Sequence, residues 1–341
     1  MEVRWIACEL HTHTQHSDGV QTLEELAAGA VELGFDAIAL TDHNTMSGLA
    51  GKDSIASQYG LLILPGMEWT TFYGHMVTLG LSEYADWRSA DPSQIADGIQ
   101  AVHRLGGIAG LAHPFRIGSP ACTGCYWEYE LKDWSVVDYI EVWSGTFASI
   151  RTNNRRAFAL WTDKLNEGFR ISATSGRDWH AQMKTEEPLS VTYLGIPDGE
   201  QPTEELLVNS LREGRATVTV GPLLSLAIFA DGHKFELGSV VSLPLQAEDQ
   251  RELQASVTID FTVRSGLWFL SDQTIKLILC SDQGQEMDIE VTWSKNNANE
   301  PVCLSGLPLS PGPRKWLRAE LWGIVQGAHA IIAFTNPVYF D

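Results

Sequence analysis

Over its first two hundred residues the chain alternates short apolar runs with stretches of helical spacing, and this alternation narrows the possible folds more than any other feature. "WIACEL", "DAIALTD", "LLILPG", "HMVTLG", "IAGLAHP", "VVDYIEVW" and "RISATSG" read as seven strands. Helices fall between most of them. "TLEELAAGAVELG" places Leu26, Ala30 and Leu33 on one helical face behind a Thr22–Glu25 capping box, with Gly34 as its stop. "DPSQIADGIQAVHRLGG" and "NNRRAFALWTDKLNEG" read as two further helices. Strand–helix alternation of this kind implies a parallel sheet, open or closed into a barrel. "PTEELLVNSLREG" reads as a last helix ending at Gly214. From about Ala216 the texture becomes all-β, with period-two runs such as "LQASVTIDFTVRS" and turn signals such as Asp231-Gly232. The expected organisation is an α/β domain over residues 1–212 and a sandwich-like all-β domain over 213–341.

The polar residues at the strand boundaries carry the chemistry. "CELHTHTQHSDG" brings His11, His13 and Asp18 into one loop. "TDHN" adds His43, "PGMEWTTFYGH" adds Glu68 and His75, "LAHPF" adds His113, and "SGRDWH" adds Asp178 and His180. Most of these follow a strand, where α/β barrels place their chemistry; His75 instead opens one. Nitrogen and oxygen donors without thiolate suit Zn, Mn or Fe(II). The set is too large for one ion and sufficient for two or three, an arrangement used in metal-assisted hydrolysis.

Taken in order, "HTHTQHSDG", "TDHN", "GMEW", "AHP" and "DWH" resemble the successive motifs of the polymerase and histidinol phosphatase (PHP) superfamily, across roughly residues 7 to 181. The resemblance implies a distorted (β/α)7 barrel with a two- or three-metal site. The "GMEWTTFYGH", "EGRATVTVGP" and "FTNPVYF" segments further resemble the CehA/McbA-like metallohydrolases. Position by position, it implies a first ion on His11, His13, Glu68 and Asp178. A second would share Glu68 and add His75 and His113, and a third would take Asp18, His43 and His180. Glu68 is then the bridging carboxylate. Most characterised members of the superfamily cleave phosphate esters, whereas the CehA/McbA namesakes act on aryl carbamates. The expected activity is therefore a metal-dependent phosphoesterase acting on a small phosphate mono- or diester, with Glu68, Asp178 and Arg177 as its catalytic residues. The alternatives are a carbamate, ester or amide hydrolase, or a metal-loaded binding module without catalysis.

Composition limits the partners. With 23 basic and 43 acidic residues the net charge is -20, which disfavours an extended nucleic-acid groove but leaves room for a small anionic substrate at a cation-bearing site. Five cysteines do not form a disulfide framework. "CTGC", from Cys122 to Cys125, lacks a second CxxC and reads as two free thiols. No apolar run approaches a membrane span, and "MEVRWIACELH" has no signal core, so a cytoplasmic location is expected. His16, His103, His233 and His329 are expected to lie outside the site. Asp42 is expected to orient a histidine. Arg116, Arg151 and Arg177 are the arginines nearest the motifs, and Trp69, Phe72, Tyr73, Trp143 and Trp179 are candidates for an aromatic cleft.

Overall fold

A computed structural model describes residues 3–88, 91–118, 124–183, 189–242, 253–268, 270–295, 299–310 and 312–341. The first part of the chain forms β1 (Val3–Thr12), α1 (Leu23–Glu32), β2 (Ala37–Leu40), α2 (Lys52–Tyr59), β3 (Leu62–Thr71), β4 (Gly74–Leu79) and α3 (Ile95–Arg104). It continues with β5 (Ile108–Ala112), β6 (Tyr139–Ser144), α4 (Thr152–Glu167), β7 (Ser172–Gly176), β8 (Val191–Pro197) and α5 (Glu204–Arg212). The capping box read from the sequence forms at Thr22 and Glu25.

The strands lie side by side in the order β8-β1-β2-β3-β4-β5-β6-β7. Two blocks, β1-β2-β3 and β5-β6-β7, are parallel. The sheet is not parallel throughout, because β3 and β4 are joined only by Phe72 and Tyr73. So short a link can return the chain only as an antiparallel hairpin, and β4 runs antiparallel to both β3 and β5. β8, absent from the seven strands read from the sequence, pairs antiparallel with β1. The curled sheet meets itself at one place. His13 N–H donates to Trp179 O at 2.9 Å and Trp179 N–H donates to His11 O at 3.0 Å, an isolated parallel bridge between the tops of β1 and β7. The result is a distorted barrel whose seam closes at the histidine pair.

The rest of the chain is all-β: β9 (Ala216–Thr219), β10 (Leu223–Ala230), β11 (His233–Glu236), β12 (Val240–Val241), β13 (Gln254–Asp260) and β14 (Gln273–Ser281), then β15 (Gly284–Trp293), β16 (Val302–Pro308), β17 (Trp316–Val325), β18 (Ala328–Thr335) and β19 (Val338–Phe340). One sheet, β11-β10-β13-β16, is antiparallel and separate. The other is continuous with the barrel, since β9 pairs with β8 on one side and β18 on the other. The expected boundary at 212/213 falls between α5 and β9, and the hydrogen-bonded sheet runs across it.

Side chains reinforce that junction. Asn336 is fully buried. Its Oδ1 accepts from Ala173 N–H at 2.7 Å, and its Nδ2 donates to Ala173 O at 3.0 Å and Ala216 O at 3.1 Å. Arg318, 4% exposed, lies against Phe158, Trp161 and Trp316, pairs with Glu320 at 2.7 Å and donates to Thr162 Oγ1 at 2.9 Å. Among the described residues, no helix is long and apolar enough to cross a membrane.

Candidate metal centre

Nine residues from five strand-end segments converge at the top of the barrel. His11 and His13, two apart at the end of β1, both turn inward and are fully buried. Asp42 and His43 follow β2. Among the described residues the Asp42 carboxylate makes no hydrogen bond to a histidine; it accepts from Thr14 N–H, Thr14 Oγ1 and Ser17 Oγ, each at 2.7 Å. It therefore shapes the loop that presents Asp18, which corrects the role expected for it. β3 delivers Glu68 and β4 returns His75 beside it. His113 follows β5 with φ 31°, and Asp178 follows β7 with φ 55°. Both φ values lie in the region L-residues rarely adopt, and such strain concentrates at functional sites.

Glu68 is the hub. Its Oε2 lies 3.2 Å from His11 Nε2, 3.4 Å from His13 Nε2 and 2.8 Å from His43 Nδ1. Its Oε1 lies 3.0 Å from His75 Nδ1 and 3.2 Å from His113 Nε2. Asp178 Oδ1 sits 3.1 Å from His13 Nε2, and Asp18 Oδ1 sits 3.3 Å from His43 Nε2 and 3.0 Å from His180 Nε2. Three groups have ligand atoms mutually within 4.8 Å: His11, His13, Glu68 and Asp178; Glu68, His75 and His113; and His13, Asp18, His43 and His180. The sequence-derived groups recur, with His13 also facing the third.

Electrostatics inside the cluster are strongly perturbed. Burial opposes charge on His11, but Glu141, Glu68 and Asp178 around it outweigh burial and raise its pKa well above the usual imidazole value. Burial likewise opposes charge on His43, yet Glu68 and Asp18 push it up to about 10. For His13 burial prevails and brings it down to about 4. Burial alone would raise the carboxyls of Glu68 and Asp178, but the surrounding histidines hold both well below the ordinary range.

The remaining expected residues fall in different places. Arg177 is 7% exposed, its backbone N–H donates to Glu9 Oε1 at 2.8 Å, and its guanidinium lies 5.0 Å over the Trp179 ring. The guanidinium of Arg177 and the ring of Trp179 lie together while Asp178 turns into the cluster. The arginine that the structure sets against the cluster is Arg116, whose Nη1 pairs with Asp178 Oδ2. Trp69, Trp143 and Trp179 are buried core residues rather than cleft walls, whereas Phe72 and Tyr73 are exposed. His16 is held by Ser47 at 2.9 Å and His103 by Asp138 at 2.7 Å, both outside the three groups. Cys125 is disulfide-bonded, not the expected free thiol; Cys122 lies outside the described residues. Cys8, Cys280 and Cys303 are free.

Two buried acids were not singled out by the sequence reading. Glu9 Oε1 accepts from the backbone N–H of His11 and Arg177, and its burial raises it to about 7. Glu141 Oε2 accepts from His11 Nδ1 at 2.7 Å. Each had a signal in the sequence: a carboxylate inside an otherwise apolar strand run, "ACEL" and "YIEVW".

A curled α/β barrel whose strand ends converge on histidines and carboxylates defines a class of domain built around a multi-ion centre. Residues 9–101 match the PHP domain model. The whole fold of the chain is similar to a crystal structure from Bacteroides vulgatus, of a two-domain protein containing a predicted PHP-like metal-dependent phosphoesterase. The TM-score is 0.55 at 15% identity, over 98% of this chain and 96% of that one. In sequence it is similar to the 5'-3' exoribonuclease Rnm of Salmonella typhimurium, 30% identical over 119 residues, 30% of this chain and 41% of that protein. It is also similar to the 3',5'-nucleoside bisphosphate phosphatase of Chromobacterium violaceum, 31% identical over 113 residues, 30% of this chain and 40% of that protein. These two matches therefore span about two fifths of the relatives' own length.

Proposed function

We propose that this protein is a metal-dependent phosphoesterase that hydrolyses small phosphate mono- or diesters. The observation that carries the reading is the orphaned state of the cluster's buried donor atoms. His11 Nε2, both His13 ring nitrogens, Glu68 Oε2, His75 Nε2 and His113 Nδ1 are buried without hydrogen-bond partners. Buried polar atoms are rarely left so. Here the lone pairs converge, and cations would satisfy them together. The donors are imidazole and carboxylate with no thiolate, which suits two or three Mn, Zn or Fe(II) ions. The nine residues fit such ions, with Glu68 as the carboxylate shared between the first two groups.

When bound, ions of this kind acidify a water and offset negative charge on a phosphoryl group. The chain's own contribution is arrangement and recognition. Glu68 fixes the spacing of the groups, and Asp178 links the His11–His13 pair to the mouth of the site. Arg116 stands on the loop after His113, where its N–H donates to His113 O at 2.9 Å. Its side chain is 41% exposed and already pairs with a carboxylate of the cluster. A guanidinium so placed suits a phosphate oxygen of an arriving substrate, the role expected from sequence for Arg177. All nine residues lie within 1–212, the segment we take as the hydrolase unit. The relatives include a nuclease and a nucleotide phosphatase; the charge of -20 favours a small substrate over an extended polyanion.

The test is turnover of a panel of phosphate mono- and diesters beside neutral aryl esters and carbamates, using metal-loaded protein. Phosphate esters should be hydrolysed and chelation should abolish the rate. Arg116→Ala should lower kcat/KM for phosphate esters by roughly a hundredfold, as for a lost oxyanion donor, with metal content retained. Turnover confined to the neutral carbonyl substrates would overturn the proposal.

A further inference from the structure

We infer that Glu141 is a positioning residue that sets the tautomer and orientation of His11, so that His11 Nε2 is offered as a lone-pair donor to an ion. The inference rests on the metal-dependent reading above and adds to it a residue outside the nine. Glu141 lies in β6, on the opposite side of His11 from Glu68. Its Oε2 accepts from His11 Nδ1 at 2.7 Å, and the residues are 3% and 0% exposed. With Nδ1 carrying the proton, Nε2 becomes the acceptor. That nitrogen points away from Glu141, 3.2 Å from Glu68 Oε2 and 3.5 Å from Asp178 Oδ1, and has no hydrogen-bond partner.

The other ring contacts in the cluster differ in kind. His75 and His113 turn a nitrogen to Glu68 itself, His43 Nδ1 also meets Thr70 Oγ1, and His180 Nδ1 donates to Asp178 O at 2.8 Å. Among these contacts only that of His11 goes to a carboxylate outside the nine. A carboxylate behind an imidazole raises the basicity of the opposite nitrogen as well as aiming it.

Fold stability alone does not account for Glu141. Its Oε1 is buried with no hydrogen-bond partner. A carboxylate buried on one donor destabilises a strand that apolar side chains would fill more favourably. The backbone also makes room for it. At Gly176, a Cβ would lie 2.5 Å from His11 Cβ and 2.6 Å from Glu141 Oε2. Any side chain there would force the pair apart, so β7 passes them as glycine.

The experiment compares full-length wild type, Glu141→Gln and Glu141→Ala, each stripped of metal. Affinity for Mn(II) and for Zn(II) is measured by chelator competition, and the melting temperature of the metal-free protein is measured in parallel. For Glu141→Ala, the affinity of one ion should fall about 10–100-fold, the size expected for a lost outer partner of a ligand histidine. Glu141→Gln should recover part of the loss, because its amide oxygen still accepts from Nδ1–H while the charge is gone, and its metal-free melting temperature should fall less than that of Glu141→Ala. If Glu141→Ala fails to fold, the isosteric Gln variant carries the comparison, with reduced affinity expected beyond what its change in melting temperature accounts for. Variants that fold and bind both metals as tightly as wild type would overturn the role of Glu141, as would losses that merely follow the melting temperature. Wild type that takes up neither metal would instead overturn the metal-dependent reading, and this inference with it.

Discussion

Replacing Glu68 by glutamine removes one negative charge and changes almost nothing else in size, so it isolates what the carboxylate does. Both oxygens are used: Oε2 faces His11, His13 and His43, and Oε1 faces His75 and His113, at 2.8–3.4 Å. Glu68 is fully buried. Removing one member of a buried charge pair costs about 3–5 kcal/mol, and at about 1.4 kcal/mol per decade this weakens ion binding by roughly a hundredfold to a few thousandfold. Two of the three groups share Glu68, so occupancy of both should fall. Asp18 is the contrast, because its side chain is 61% exposed and pairs with His43 and His180. Solvent screens such a pair, and its loss should cost only about 0.2–1 kcal/mol, less than about a tenfold change confined to one ion. The assay is elemental analysis after dialysis against a graded chelator, with turnover of a phosphate ester on the same samples. Glu68→Gln that retains wild-type ion content and a rate within about threefold would refute the shared-carboxylate reasoning. A larger defect in Asp18→Asn than in Glu68→Gln would refute it equally.

The remaining predictions concern protons and the domain junction. His11, His43 and His180 hold protons more tightly than free imidazole because carboxylates outweigh their burial, with His43 pushed up to about 10. Ions must displace those protons, so affinity should rise from about pH 6 to about pH 9 with measurable proton release; an affinity independent of pH would contradict this. In the metal-free protein these three histidines contribute stability that is complete below about pH 6.5 and fades as pH rises through their folded-state values. Its melting temperature should therefore lose their contribution on the alkaline side, which a titration of metal-free against loaded protein would detect. Asn336→Ala leaves the buried Ala173 N–H without its acceptor, at a cost of about 1–3 kcal/mol, and should lower the melting temperature by several degrees; an unchanged value would show that the junction does not depend on this residue.

Much of the site was legible because its chemistry is local in sequence. His11 and His13, or Asp178 and His180, stand two apart on a chain segment, so a strand end turns both to one side and the pattern is visible in a few letters. The geometry then supplies what spacing cannot, namely that Glu68 lies within reach of five histidines from four segments. Arg177 shows the limit. Its neighbour Asp178 was readable, but its own direction depended on the backbone beyond Gly176, where Asp178 takes φ 55°. Glu141 was hidden for a different reason: its partner is 130 residues away, and only the adjacency of β6, β7 and β1 at the barrel seam brings them together. β8 escaped notice because its residues Val191–Ile196 are buried on both faces, so the two-residue alternation that marks a half-exposed strand is absent.

The seam also explains why the C-terminal β region and the metal centre belong to one structural argument. β7 reaches β1 through the backbone bonds among His11, His13 and Trp179, between the two segments that carry His11, His13, Asp178 and His180, four of the nine residues. Nothing in that bridge fixes the lower part of β7. That part is fixed by Asn336, whose side chain grips Ala173 from the far end of the chain, and by Ser172 Oγ, which donates to Leu211 O at 2.6 Å. Asn336 lies between β18 and β19, and β18 pairs with β9, which pairs with β8, which pairs with β1. The two strands that meet at the seam are therefore tied directly at the cluster, within the barrel through Ser175 and Thr192 of β8, and again through the β region. An isolated barrel would keep the ties made within it, Ser172 to Leu211 among them, and lose the grip of Asn336. Loosening β7 would move Asp178 relative to His11 and His13, and ligand atoms tolerate little displacement before an ion is lost.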